Sequence, residues 1–258
     1  MNDSLYIAAT GMHMQQKEVD TISNNLANVN TPGYKKGRVS FEDLVYRDLA
    51  GAAGATEGAR RLWQGSGVGI SSILKSFIAG ELKKTDAPMD VAVRGEGFFE
   101  VVALDGTAAY TRGGTLTIDK DGLLATATGQ ALKPSIHIGN DARGITIEPD
   151  GRVMVRTGAS DEPFEAGRIE LVRFADTSAL EALGGNLYRP SERSGEPISG
   201  PAGGDGLGTI AQGFIEGSNV NLVEEMVDLM VAQRAYESSV KVIQASDEML
   251  AMSNNLRK

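Results

Sequence analysis

Two histidines, His13 and His137, are the only imidazoles in a 258-residue chain without cysteine. No Ser/His/Asp set and no His- or Cys-based metal site can be built from them at useful spacing, so both are read as surface residues. Asp119-Lys120-Asp121-Gly122 opens like a calcium loop. However, Gln130 stands where a bidentate Glu is needed and the flanks alternate as strands, which makes the stretch a hairpin turn. Gly65-Ser66-Gly67-Val68-Gly69 and Gly203-Gly204-Asp205-Gly206-Leu207-Gly208 lack the preceding strand, following helix and lysine of a phosphate cradle, and read as turns. Glu224-Glu225 opens a helical stretch, where carboxylates suit the positive end of the helix dipole. No catalytic, cofactor-binding or metal-binding residue is assigned, and the chain is expected to be neither an enzyme nor a cofactor carrier.

Composition narrows the classes further. A formal charge of -9 leaves no basic patch for phosphates and argues against nucleic acid. Hydrophobic residues at 41% allow a folded core, whereas 5% aromatics and 32 glycines favour turns and strands over an aromatic ligand pocket. The absence of cysteine permits a site outside the cytoplasm. The N-terminus has no basic n-region, the first lysine is Lys17, and no apolar run reaches the length of a signal or membrane segment. Membrane insertion and cleaved-signal export are therefore not expected. Either the chain stays in the cytoplasm or it leaves by a route that reads something else.

The elements that would position any function lie at the two ends. In 218–256, Leu222, Leu229, Tyr236, Ile243 and Leu250 recur every seven residues, with Met226 and Val240 in complementary positions. Neither Gly nor Pro interrupts this stretch, Asn219 or Asn221 can cap it, and the resulting helix would reach roughly 50 Å. In the first thirty residues, Leu5, Met12, Val19 and Leu26 are spaced by sevens, as are Ala8, Gln15, Ile22 and Val29. Asn2, Asp3 or Ser4 can cap this helix, and Asn30-Thr31-Pro32-Gly33 ends it. Two such narrow seams order poorly alone, so the termini are expected to pack as a coiled coil and against other copies of themselves. A terminal hairpin within an ordinary monomer is the simpler alternative.

Between the helices, 34–46 reads as an irregular connector leading to a short amphipathic segment around Phe41, Leu44 and Val45. The Ala/Gly-rich 48–69 excursion carries Trp63, either an interface anchor or a side chain tucked against its own domain. Strands follow: 89–103 with a kink at Gly95 and Gly97, then short strands at 109–112, 115–118 and 123–128. A hairpin turns at Pro149-Asp150-Gly151, and 168–174 forms another strand. The segment 178–183 reads as a helical turn ended by Gly184-Gly185, and 190–208 as a Pro/Gly loop. The expected fold is α+β, with long N- and C-terminal helices and an inserted, mainly antiparallel β domain. Its divisions are 1–30 with 216–258, a 31–69 connector, and a β-rich 70–215.

Both ends resemble the axial proteins of the bacterial flagellum, the rod and hook family. The matching stretches are Asn24-Asn25-Leu26-Ala27-Asn28-Val29-Asn30-Thr31-Pro32-Gly33-Tyr34, Glu216-Gly217-Ser218-Asn219-Val220-Asn221 and Gln233-Arg234-Ala235-Tyr236-Glu237. Asp90-Val91-Ala92-Val93-Arg94-Gly95-Glu96-Gly97-Phe98-Phe99 and Tyr110-Thr111-Arg112 are similar to the family's central motifs, so the resemblance spans nearly the whole chain. Length and the Phe41-Glu42-Asp43-Leu44-Val45-Tyr46 run are most similar to the distal rod members, although the Ala/Gly composition of 48–69 departs from them.

The resemblance implies a structural subunit of the distal rod, a helical tube that transmits torque from motor to hook. It implies assembly with further copies, proximal rod proteins, hook protein and surrounding ring proteins in a periplasm-spanning basal body. Export would use the flagellar type III apparatus, with Phe41 and Val45 resembling the motif that engages the export gate and Leu5 with Ile7 belonging to the N-terminal signal. Equally, those four residues fit plain packing roles. Phe41 and Trp63 would lie in a segment bridging neighbouring subunits, and the terminal seams would form the inner tube. Competing readings are a proximal rod component, a cell-envelope enzyme with paired carboxylates in the β domain, and a cytoplasmic coiled-coil binding module.

Overall fold

The computed structural model describes residues 2–43, 47–48, 63–64, 67–103, 105–139, 142–158 and 160–255. They form two units: Met1–Ala27, Gly37–Leu74 and Asn221–Lys258 in the first, and Asn28–Lys36 with Lys75–Val220 in the second. The segment expected as a connector is thus shared, its first residues belonging to the second unit.

The first unit contains α1 (Asn2–Ala27), β1 (Gly37–Asp43), β2 (Arg47–Asp48), β3 (Trp63–Gln64), β4 (Val68–Lys75) and α2 (Leu222–Asn255). Helix α1 stops ahead of Pro32, whose ring and missing N–H bar its continuation, and a turn follows, with Thr31 N–H donating to the Asn28 carbonyl at 3.1 Å and Gly33 taking φ +70°. Asn221 caps α2, its side-chain oxygen accepting from the N–H groups of Val223 at 3.1 Å and Glu224 at 3.5 Å. The helices run antiparallel, since Asn25 bonds Glu225 whereas Ile7 and Gly11 share an open groove with Ser239 and Val242. The stretch 37–43, expected to be irregular, is strand β1 paired with β4. Its buried Gly37 and Val39 alternate with exposed Arg38, a period-two signal too short to read against the polar residues after it.

The second unit is built from strands. In order they are β5 (Leu82–Lys84), β6 (Val91–Arg94), β7 (Phe98–Val102), β8 (Ala108–Thr111), β9 (Leu116–Ile118), β10 (Leu124–Thr126) and β11 (Leu132–Lys133). Then come β12 (Ala142–Ile147), β13 (Arg152–Thr157), β14 (Ser160–Arg168), β15 (Glu170–Arg173), β16 (Glu181–Gly184) and β17 (Leu187–Arg189), followed by β18 (Ile198–Pro201), β19 (Thr209–Gln212) and β20 (Phe214–Glu216). A seven-stranded sheet runs β16-β17-β8-β7-β15-β18, with β11 also on β7. β12-β13-β14 form a second sheet, while β6 pairs with β19, β5 with β20, and β9 with β10. These pairings are antiparallel.

Strand periodicity explains why the large sheet is covered on both faces. Phe99 and Leu171, opposite one another in register, enter one core with Val101, Val153 and Ile210. Their neighbours Phe98 and Val172 enter another with Tyr110, Phe174 and Tyr188, where Phe98 and Phe174 meet edge to face at 5.8 Å. Gly95 and Gly97, at φ +113° and +135°, lie at the expected kink, which separates β6 from β7. Asp119-Lys120-Asp121-Gly122 is the β9–β10 turn.

Three stretches differ from the sequence reading, the first being 190–208, expected as a Pro/Gly loop, which holds β18 paired with β15. In 178–183 only Thr177–Ala179 is a 3₁₀ turn, capped by Asp176; burial of Leu180 then draws the chain out into β16, which hairpins onto β17. β14 was hidden because bulges opposite Val153/Met154 and Val155/Thr157, and Pro163 within it, erase alternation; as an edge strand it tolerates the proline.

Gly114 packs so closely that an added Cβ would stand 1.5 Å from the Val91 carbonyl oxygen. Gly114→Ala is expected to cost at least about 2 kcal/mol through forced backbone displacement. A lowered thermal midpoint in circular dichroism checks this, and an unchanged one would show that the strand pair gives way freely.

Candidate functional site

The second unit is closed by a carboxylate. Glu216, at the end of β20, is 2% exposed, Arg112 3% and Lys35 0%. Lys35 Nζ donates to Glu216 Oε1 at 2.6 Å, Arg112 Nε donates to Oε2 at 2.7 Å, and the Gly80 amide donates to Oε1 at 2.8 Å. The surplus donors are also placed, with Lys35 on the Ile78 carbonyl at 2.9 Å and Arg112 on the carbonyls of Gly95 at 2.9 Å and Gly97 at 3.1 Å. Asn219 braces the same region, accepting from Lys36 N–H at 2.7 Å and donating to the carbonyls of Ser76 at 2.8 Å and Ile78 at 3.1 Å. Of the two asparagines expected as caps, Asn221 serves, while Asn219 ties loops.

Burial alone would raise the Glu216 carboxyl, but the charges of Arg112 and Lys35, with the bonds from Lys35 and Gly80, hold it below the ordinary range. Burial pulls the Lys35 ammonium down and pushes the Tyr188 phenol up.

The first unit has its own buried polar tie. Asn25, 1% exposed, donates to the Gly37 carbonyl at 2.9 Å and accepts from the Gly37 amide at 2.9 Å, while also donating to Glu225 Oε2 at 2.9 Å. Around it the helix faces are unequal. α1 turns Ile22 fully inward and Leu5, Met12, Val19, Leu26 and Gln15 partly; Val29, in the other unit, is also half-buried. α2 turns in Glu225, Ala232 and Ser246 with half-buried Leu229, Val240 and Ile243. Of the seam residues expected on α2, Leu222, Met226 and Tyr236 stay exposed in the single chain, at 49%, 52% and 37%. Val223, Val227, Met230 and Val231 are exposed beside them. The inward stripe follows small and polar residues, a face that heptads of large apolar residues do not reveal. On α1, burial and nearby Asp228 both raise the Glu18 carboxyl.

Phe41 is exposed on β1. Val45, the side chains of Trp63 and Leu250, and most of 48–69 lie outside the described residues. His13 and His137 are exposed. Among the described residues no cluster of three His, Cys, Asp or Glu could hold a metal, and no helix is long and apolar enough to cross a membrane. Lys35, Arg112, Glu216 and Asn25 were not singled out from sequence; charged or amide residues set directly after apolar runs, as in Phe214-Ile215-Glu216, were the available signal.

Comparison with known proteins defines the class. Residues 5–35 match the model "Flagella basal body rod protein", 92–155 "Flagellar hook protein FlgE/F/G D1 domain", and 211–256 "Flagellar basal body rod FlgEFG protein C-terminal". The chain belongs to the flagellar basal-body rod protein family. Within it, the chain is 43% identical to the flagellar basal-body rod protein FlgG of Borreliella burgdorferi, over 100% of both chains. It is 39% identical to FlgG of Agrobacterium fabrum, covering 98% of this chain and 99% of that one, and 33% identical to FlgF of Caulobacter vibrioides, covering 96% and 95%. These relatives identify a structural subunit of the distal rod, in the flagellar basal body, that assembles with other rod and hook components.

The depressed Glu216 value sets a pH dependence. Its stabilisation is complete above the unfolded glutamate value of about 4.3 and is lost as pH falls through the lower folded-state value. Glu216→Gln is expected to cost about 3–5 kcal/mol at neutral pH by stranding buried cations, and to flatten the acid limb. Urea unfolding between pH 3 and 7 checks both; an equally steep acid limb in the variant would assign it to other carboxylates.

Proposed function

We propose that this subunit polymerises through its terminal helices into the helical tube of the distal rod, and that the tube acts as a periplasm-spanning drive shaft. The observation that carries this reading is the apolar face of α2: Leu222, Val223, Met226, Val227, Met230 and Val231 are exposed on one root of the helix, and Val242, Met249 and Met252 further along. A soluble monomer rarely leaves so many large apolar residues contiguous. A contact joining this face to a different patch on the next copy does not close on itself, and so generates a filament. The helices of successive copies then pack as a coiled-coil inner tube whose seams include Leu5, Met12, Val19, Ile22, Leu26, Val29, Leu222, Met226, Leu229, Tyr236, Val240, Ile243 and Leu250. Torque passes through many such contacts at once, and no substrate is involved.

The finer partners follow from the family resemblance. The shaft meets proximal rod proteins below, hook protein above and ring proteins around it, and subunits leave through the type III export apparatus without a cleaved signal. Exposed Phe41, with Val45, serves the export gate, and Phe41 with Trp63 bridges neighbours in the assembled shaft.

Met226→Asp combined with Met230→Asp is expected to reduce filament mass in sedimentation at least tenfold and to abolish motility in cells relying on the variant, with the circular dichroism of the β unit unchanged. Filaments of normal length from the double variant would place the assembly contact elsewhere.

A further inference from the structure

In the second unit, the passages at 36/37, 74/75 and 220/221 adjoin residues braced together by Glu216 and Asn219. Gly33 N–H donates to the Glu216 backbone carbonyl at 2.8 Å, Ser76 N–H to the Lys36 carbonyl at 2.9 Å, and Lys75 Nζ to the Lys35 carbonyl at 3.0 Å. Segments 33–36 and 75–80 therefore hold one another both directly and through partners supplied by 216–219. The two apolar cores draw little on these segments: Phe77 packs on the edge of one, while Phe98, Phe99, Val101 and Leu171 lie in strands that pair with one another, and Val153 lies in β13, held between β12 and β14.

We propose that residues 33–36, 75–80 and 216–219 form a clamp that opens and closes as one cooperative element, separately from the cores of the same unit. The physical reason is the mismatch in what holds them. The cores are closed by apolar contact and strand pairing, whereas the clamp is closed by a buried charge cluster whose members are far apart in sequence: Lys35, Arg112 and Glu216. Neutralise Glu216 and both Lys35 and Arg112 lose their counter-ion, while the strand pairings of the cores keep their partners. Such elements with their own opening free energy are the units in which native proteins loosen. The device has a direct consequence within the second unit: residues 216–219, shortly before α2, lock the segment 33–36 that follows α1.

Amide hydrogen exchange of the full-length protein tests this, read at Gly33, Lys36, Ser76 and Gly80 for the clamp and at Val102 and Leu124, whose amides are bonded to Ala131 and Ile136, for the core. Glu216→Gln is expected to speed exchange at the four clamp amides together, on the order of 1,000-fold, and to speed Val102 and Leu124 by a factor at least about tenfold smaller. Asn219→Ala, which strands no charge, is the second variant, and should speed Gly33, Ser76 and Gly80 by a smaller common factor, Lys36 being left out of that comparison because its acceptor is removed. Acceleration of clamp and core alike, failure of either variant to fold, or independent rates among the clamp amides compared would overturn the proposal.

Discussion

A single carboxylate, buried between a lysine and an arginine, sets the terms for much of the β unit. Glu216 is reached by Lys35 at 2.6 Å and Arg112 at 2.7 Å, and none of the three charges meets solvent appreciably. Burying ions is expensive, and geometry must repay it with hydrogen bonds to every remaining donor. The backbone accordingly comes close on all sides, through Ile78, Gly80, Gly95 and Gly97. Gly80 lies so near the following loop that a Cβ there would meet the Gly217 oxygen at 2.1 Å. Apolar side chains of equal volume would hold this space as firmly, but not with one fixed set of partners. The charges specify which segments meet.

The helical unit is arranged differently. Its internal polar tie joins Asn25 to Gly37 and Glu225 within the chain, and the α2 stripe turned inward includes Ala232 and Ser246. The larger apolar residues, Met226, Met230 and Val231 among them, look outward. Sequence therefore spends its strongest hydrophobic drive on a surface that one copy leaves open. In a polymer, that arrangement makes completion of the helical face and growth of the filament the same event.

Much of this was legible in the residues. Heptad spacing located both helices, Pro32 and Gly33 ended the first, and the Asp150-Gly151 turn located a hairpin, because each rests on a local rule. Which α2 face turns inward was less legible: leucine spacing marks the apolar residues without saying whether α1 or a neighbour covers them. β14 escaped because bulges and Pro163 break its period, and β16 because Leu180 is drawn into a core by contacts distant in sequence. Lys35, Arg112 and Glu216 lay within or beside the motifs that carry the family resemblance, yet their meeting is a property of the fold. Separations of 181 and 104 residues between Glu216 and its partners hide which residues meet.

The measurement that tests the account most directly uses the absence of native cysteine. A single cysteine is placed at Met226, and separately at buried Ser246, and its reaction with a small maleimide is followed in monomers and in assembled rods. The account predicts rapid labelling at 226 in the monomer, protection at 226 in the rod, and protection at 246 in both. Equal labelling of 226 in monomer and rod would contradict it, since the apolar face of α2 would then remain uncovered by any neighbouring copy.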